Sequence, residues 1–439
     1  MLNENDNTVT TDGEVLVTND ATVEAVVAEV NDSGRELIRE VARAEIVEES
    51  INELEQIEAA LESYSERGIN ADSARLMQLH LNSISKRTGV TITSPAIESF
   101  GLTSDMSLAT QDSLESIKET IENIIQAFIR FITDLGRRIA AFGHSLLNSY
   151  SRMGDDYKSL GDELKTLMET QAKNKTQPYI DELGKDENLI HVRGARYLYR
   201  GGRNIVAEIP SMIRRGDKDQ GLRAGSELRR QAEINHAFSF KDAGDMDEEG
   251  VYKQKERINK TIKDFERFAD KFSDRKEQGD DNYLYYVTEL VGDAEMWVGI
   301  RENEGEDATY DIRVERVNLK GNEDEYSKGQ PVLELNILKR LIEAAIYFCE
   351  TQYTLSSKQY RDQRTGKVEK EALKFVRKLE RKDAVKAKEV SLLTRKISQI
   401  SRAHASMDAI TGLTYLSLLR TLRLYVKRCL AFHQAKTNA

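Results

Sequence analysis

From Gly34 to Ser65 the apolar residues recur in steps of three and four: Leu37, Val41, Ala44, Val47, Ile51, Leu54, Ile57, Leu61 and Tyr64. That period predicts one long amphipathic helix, stopped at Gly68. A second helix is expected from about Asp72 to Arg87, ending at Gly89, so that the two form an antiparallel hairpin. Residues 89–110 then turn to Gly, Thr, Ser and Pro, the composition of an exposed linker. A regular stripe follows: Ile117, Ile121, Ile124, Ile125, Phe128, Ile132, Leu135, Ile139, Phe142 and Leu146, with Glu119, Glu122, Arg130, Arg137 and Arg138 opposite. The stripe reads as core or a partner-helix surface, with a membrane-surface helix over 112–150 as the sharper alternative. Helical pattern resumes over about 155–171.

Residues 178–330 have a different rhythm. Leu189–Arg193 and Ala195–Arg200 read as short strands broken by Gly194 and Gly201-Gly202. Residues 251–276 read as a helix. Tyr283–Leu290, Glu295–Arg301 and Thr309–Leu319 are β-rich with acidic and Gly turns between them, which predicts an antiparallel meander. Pro331 suits the first turn of a further helix carrying Leu335, Leu338, Leu341, Ile342, Ala345 and Phe348. Residues 367–400 predict one or two basic helices, and 404–435 a last long one with Leu413, Leu416, Leu419, Leu422, Leu424 and Val426. The expected fold class is mainly α: long amphipathic helices with a small inserted α+β middle domain. The expected organisation is 1–98, an acidic helical segment; 99–177, long amphipathic helices; 178–330, the α+β domain; and 331–439, a basic helical domain.

Charge sharpens this division. The first 98 residues hold 20 Asp/Glu against 7 Lys/Arg, a net of −13, whereas the whole chain is −11 (64 Lys/Arg, 75 Asp/Glu). Residues 99–439 are therefore +2 (57 against 55), and 340–439 alone are +12 (21 against 9). An acidic segment ahead of a near-neutral body has the look of a removable pro-segment. Its edge lies in Thr91–Gly101, where Pro95 favours extended backbone at Ser94, as a processing protease requires. Ala96, Ile97 and Glu98 form a small-x-Glu motif ahead of Ser99. The same motif at Ala60-Leu61-Glu62 and Ser113-Leu114-Glu115 falls inside expected helices. An ordinary interdomain linker is the plainer alternative.

Other chemistry is sparse. The six histidines lack metal-ligand spacing, and phosphate-loop, dinucleotide and nucleophile-elbow motifs are missing. No metal, no cofactor and no catalytic residue is expected. Cys349 and Cys429 read as small buried hydrophobes. No window approaches 18 apolar residues, so no membrane span is expected. The acidic start lacks an export signal, which favours synthesis in a cytoplasm. The stretch Arg193–Arg203 alternates basic and aromatic residues, and Arg193, Arg196, Arg200 and Arg203 are candidate nucleic-acid contacts. Lys374, Arg377, Lys378 and Arg381 are further candidates. For Arg193–Arg203 a strand with a solvated basic edge is the plainer reading; for the basic C-terminal helices it is a solvated face, or pairing with the acidic middle domain.

Leu79–Gly89, then Ala96–Gly101, then Ser113–Lys118 and the long striped helix together resemble the internal head proteins of large contractile-tailed bacteriophages. The resemblance is best over about 45–150. It implies a virion protein inside the capsid, with an N-terminal propeptide cut by the prohead protease. Carried to this sequence, Ala96, Ile97 and Glu98 would be recognised and Glu98–Ser99 cut. The implied partners are that protease, capsid or inner-core proteins, and packaged DNA held weakly and without sequence preference; membrane contact stays open. The near-neutral body departs from a strongly basic pattern and favours a structural or co-ejected role over DNA condensation. The alternatives are a cytoplasmic helical interaction or host-takeover protein, and an ejected enzyme with its site in 178–330.

Overall fold

The computed structural model describes residues 30–43, 71–88, 106–174, 188–215, 248–303, 309–319, 323–361 and 387–438, with single positions at 28, at 183 and between 46 and 60. The N-terminal helix α1 (residues 30–43, with described positions helical as far as Ala60) and α2 (Ala71–Thr88) match the expected hairpin. Glu53 on the first arm accepts from both Nη atoms of Arg87 on the second, and His80 adds a contact at 3.4 Å.

The stripe near 117 and the pattern near 155 belong to one helix, α3 (Met106–Asn174, 69 residues), about 100 Å long at the standard rise. The side chains of Ile117 to Ile132 in the stripe lie outside the described ones, whereas Leu135, Ile139, Phe142 and Leu146 are buried. Gly154 and Gly161 do not break the helix. They bring its backbone against α7 (Leu335–Arg361), where an added Cβ would meet Cys349 at 3.3 Å and Ile342 at 3.6 Å. Tertiary packing here outweighs a propensity cost of about 1 kcal/mol per glycine.

The last helix, α8 (Ala387–Asn438, 52 residues), runs unbroken through the expected boundary near 400. Helices α3, α7 and α8 share one core with Tyr150, Phe348 and Tyr415 in edge-to-face contact. Tyr157 donates from within it to the carbonyl of Leu419 at 2.7 Å. Phenol burial pushes the Tyr157 pKa well up.

Between α3 and α7 two short strands, β1 (Tyr199–Arg200) and β2 (Arg203–Asn204), form a hairpin leading to α4 (Ile209–Arg215). Helix α5 (Glu248–Phe272) precedes a four-stranded antiparallel sheet: β3 (Arg275–Gln278), β4 (Leu284–Leu290), β5 (Ala294–Asn303) and β6 (Thr309–Asn318), in sequential order. The meander is therefore as expected, with β3 added where the helix was expected to continue to 276. The short α6 (Glu323–Ser327) follows. The expected strands at Leu189–Arg193 and Ala195–Arg200 are corrected. Ile190 makes only an isolated bridge to Gln330, and Ala195–Leu198 is a single 3₁₀ turn. Gly194, at φ +81°, starts that turn by accepting from Tyr197 N at 2.9 Å, which leaves just two residues for the strand. Pro331 is not in a helix either. Gln330 exchanges both backbone bonds with Ile190, so the helix begins only after Glu334.

Candidate nucleic-acid contacts and buried polar joints

Arg193, Arg196 and Arg203 are exposed on the segment 193–203. Arg196 lies over the Tyr197 ring, 4.9 Å from its centroid, and donates to the Tyr197 hydroxyl at 3.1 Å. Burial alone would raise the Tyr197 phenol. Hydrogen bonds from Arg196 and Ser417, with the charges of Arg196 and Arg316, bring it below its ordinary value. Arg200 differs from its neighbours. Only 15% of its side chain is exposed, and it faces Asp274 at 3.9 Å and Glu289 at 3.5 Å. It ties the β1–β2 hairpin to the sheet and is poorly placed to hold a phosphate. Lys374, Arg377, Lys378 and Arg381 lie outside the described residues, as do Ala96, Ile97, Glu98 and Ser99.

The polar residues that the fold does organise are joints between sheet and helices. At the first joint the turn Val291-Gly292-Asp293 docks on the β1–β2 hairpin. Gly292 N donates to Tyr199 O at 2.9 Å, and Gly202 N donates to the Asp293 carboxylate at 3.0 Å. Tyr326 donates its hydroxyl to the same carboxylate, which, after burial itself, raises the Tyr326 phenol to about 12. Gln330 links Asn204 and the Tyr199 hydroxyl beneath. Gly292 has φ +85°, and an added Cβ would stand 2.7 Å from the Tyr197 ring, so only glycine fits this turn.

At the second joint α8 covers the outer edge strand β6. Asp311 (7% side-chain exposure) receives Lys396 Nζ (2%) at 2.5 Å, Gln399 Nε2 at 2.9 Å, Arg301 Nη2 at 2.7 Å and Asn303 Nδ2 at 2.8 Å. Lys396 also donates to Tyr310 O at 3.1 Å. Burial would raise the Asp311 carboxyl, but the Lys396 ammonium and the surrounding donors outweigh it and hold the group well below the usual carboxylate range. A further buried pair, Arg423 with Asp156, joins α8 to α3 inside the core. The last helix is thus not simply a solvated face: Lys396 pairs with Asp311 of the acidic middle region, as the second plain reading of its charge expected, and Arg423 points inward to Asp156 of α3. Their signal was present in the sequence, since Lys396 falls between Leu393 and Ile400 on the apolar stripe, and Arg423 between Leu419 and Val426. Asp293, Tyr326 and Gln330 gave no such signal.

His191 is exposed and its carbonyl accepts from Arg428. Trp297 packs edge-on against Tyr285 at 5.3 Å and donates to Glu295 at 2.8 Å, within a small cluster separate from the main core. Among the described residues no group of three His, Cys, Asp or Glu is placed to hold a metal ion, and no described helix is long and apolar enough to cross a membrane.

A family model for phiKZ-like phage internal head proteins matches residues 22–403. The chain belongs to that family. No curated protein and no solved structure matches it. Membership makes this internal head protein a structural component of the virion interior, as the resemblance implied. The matched span includes the N-terminal hairpin, the sheet and both polar joints.

Proposed function

We propose that this internal head protein is made in the host cytoplasm as a precursor, cut after Glu98 by the prohead protease, and packaged beside the genome as a structural rather than catalytic component. The observation that carries the reading is the charge step of the family member: −13 over residues 1–98 against +2 beyond them. The candidate bond falls in the stretch between the end of α2 at Thr88 and the start of α3 at Met106. Before the cut, the acidic hairpin would associate with scaffold or inner-core partners. Its loss removes charge that repels DNA. Arg193, Arg196 and Arg203 then contact phosphates without reading sequence, together with the basic 374–381 stretch, and the mature protein is available to leave with the genome.

Mass spectrometry of purified particles tests maturation. The expected N-terminus is Ser99, and peptides from 1–98 at full abundance would overturn it. DNA contact is tested by titrating the 99–439 form at several salt concentrations. Changing Arg193, Arg196 and Arg203 to Ala is expected to weaken binding and to flatten the salt slope by about 1 for each phosphate no longer held. An unchanged slope would remove these residues from the reading.

A further inference from the structure

Helix α1 belongs to the segment that maturation would remove, yet it sits in the main core. Val30 and Leu37 are 0% exposed and share a buried cluster with Leu135, Ile139, Phe142 and Leu146 of α3. Gly34, one turn before Leu37, lies against both long helices. A Cβ there would stand 3.0 Å from both terminal carbons of Leu413 and 3.1 Å from the Phe142 ring. The contact is a helix laid in the groove between α3 and α8, with a glycine at the closest approach. Arg138 of α3 reaches Glu36 and Glu40 of α1, each at 3.4 Å, on the exposed rim.

The contact is small. Among the described residues of the hairpin, only Val30, Leu37 and the half-buried Val41 join the main cluster. The hairpin carries its own clip in Glu53–Arg87, which survives excision.

We propose that residues 30–41 form a tethered cover over an apolar, helix-binding groove lined by Leu135, Ile139, Phe142 and Leu413. Chain continuity holds the cover in place, and cutting the 89–105 stretch releases it. This rests on the maturation reading above. Two fully buried apolar side chains, one half-buried one and an exposed ionic rim support a dissociation constant on the order of 0.1 mM once the cost of association is met. A tether supplies an effective concentration on the order of millimolar, so the intact chain stays closed; at micromolar concentration the cut pieces part. Cleavage then does more than remove charge. It bares a surface that the precursor hides, and only in chains that have been processed.

The test uses the full chain with Leu413→Cys and a site for a sequence-specific protease between Glu98 and Ser99. At about 1 μM, cutting is expected to separate 1–98 from 99–439 on gel filtration, a concentration far below the tether's effective one. Maleimide labelling at position 413 is expected to quicken about tenfold, the ratio of that effective concentration to the dissociation constant. The buried Cys349 and Cys429 should stay protected as internal controls. Co-elution of the pieces with unchanged labelling overturns the proposal. So does labelling of Cys349 and Cys429 together with position 413, which would make α1 a keystone of the fold rather than a cover. In the uncut chain, Leu37→Asp should also expose position 413, and an unchanged rate there counts against the cover. The engineered cut is independent of natural processing, so failure here and an unprocessed N-terminus in particles are separate results.

Discussion

Removing Lys396 tests whether the second joint holds the sheet to the helices. Lys396→Met keeps the length of the side chain and deletes its charge. Asp311 would retain Arg301, Asn303 and Gln399 at 2.7–2.9 Å, so the loss should sit near the low end for breaking a buried pair, about 3 kcal/mol. Asp311→Asn takes the countercharge from the more deeply buried partner, which still donates to Tyr310 O, and should cost about 4–5 kcal/mol. Replacing both, Lys396→Met with Asp311→Leu, should be milder than the sum by at least about 2 kcal/mol, because neither charge is left alone. Urea unfolding reads this directly. Trp297 is the sole tryptophan of the chain and lies in the sheet, so its fluorescence reports there while far-UV ellipticity reports the helices. With a slope of about 2 kcal/mol/M, Lys396→Met should lower the fluorescence midpoint by about 1.5 M, ahead of the ellipticity change. A shift below about 0.3 M, or additive costs in the double variant, would refute the reasoning.

Acid should act in two windows. His433 is buried with a ring nitrogen 2.7 Å from Leu333 O, and burial lowers its pKa, so the unfolded chain takes the proton more readily and helical stability falls as pH drops below about 6.5. The carboxyls of Asp311 and Glu295 are held below their usual range, so the sheet keeps their contribution above about pH 4 and loses it beneath; thermal melts at stepped pH check both windows. Gly292→Ala should destabilise by about 1–3 kcal/mol through backbone strain and the clash with Tyr197. Gly202→Ala, at φ +74° with open space around it, should cost about 1 kcal/mol, and equal melting losses for the two would contradict the turn geometry. Arg423→Ala should cost about 3–5 kcal/mol by leaving Asp156 without its buried partner, measured by thermal denaturation.

The helices were legible because burial imposes a period of three to four on long runs, as at Leu37–Val47 and Leu416–Val426. The meander was legible because Gly-Asp turns separate β-rich runs. Two kinds of feature escaped. Where the period slackened, as near 150 in α3 and 400 in α8, continuity was set by what the helix packs on, which a local pattern does not contain. Alternation with basic neighbours gives Arg200 the look of a nucleic-acid contact; its acidic partners Asp274 and Glu289 come 74 and 89 positions later. The joints at Asp293 and Asp311 likewise unite residues distant along the chain, each unremarkable locally. The candidate residues Ala96–Ser99 rest on composition and motif alone.

The core pairs the third helix with the eighth. Tyr157 bonds to Leu419 across 262 positions, and Asp156 meets Arg423 across 267. A nascent chain therefore cannot close this core until nearly all of it has left the ribosome, whereas the meander, whose strands pair with their sequence neighbours, can form as soon as it emerges. Until α8 arrives, the groove that seats α1 has only its α3 wall, since Leu413 of α8 forms the other side. Synthesis order thus leaves α3, among the first helices made, waiting longest for its lasting partner.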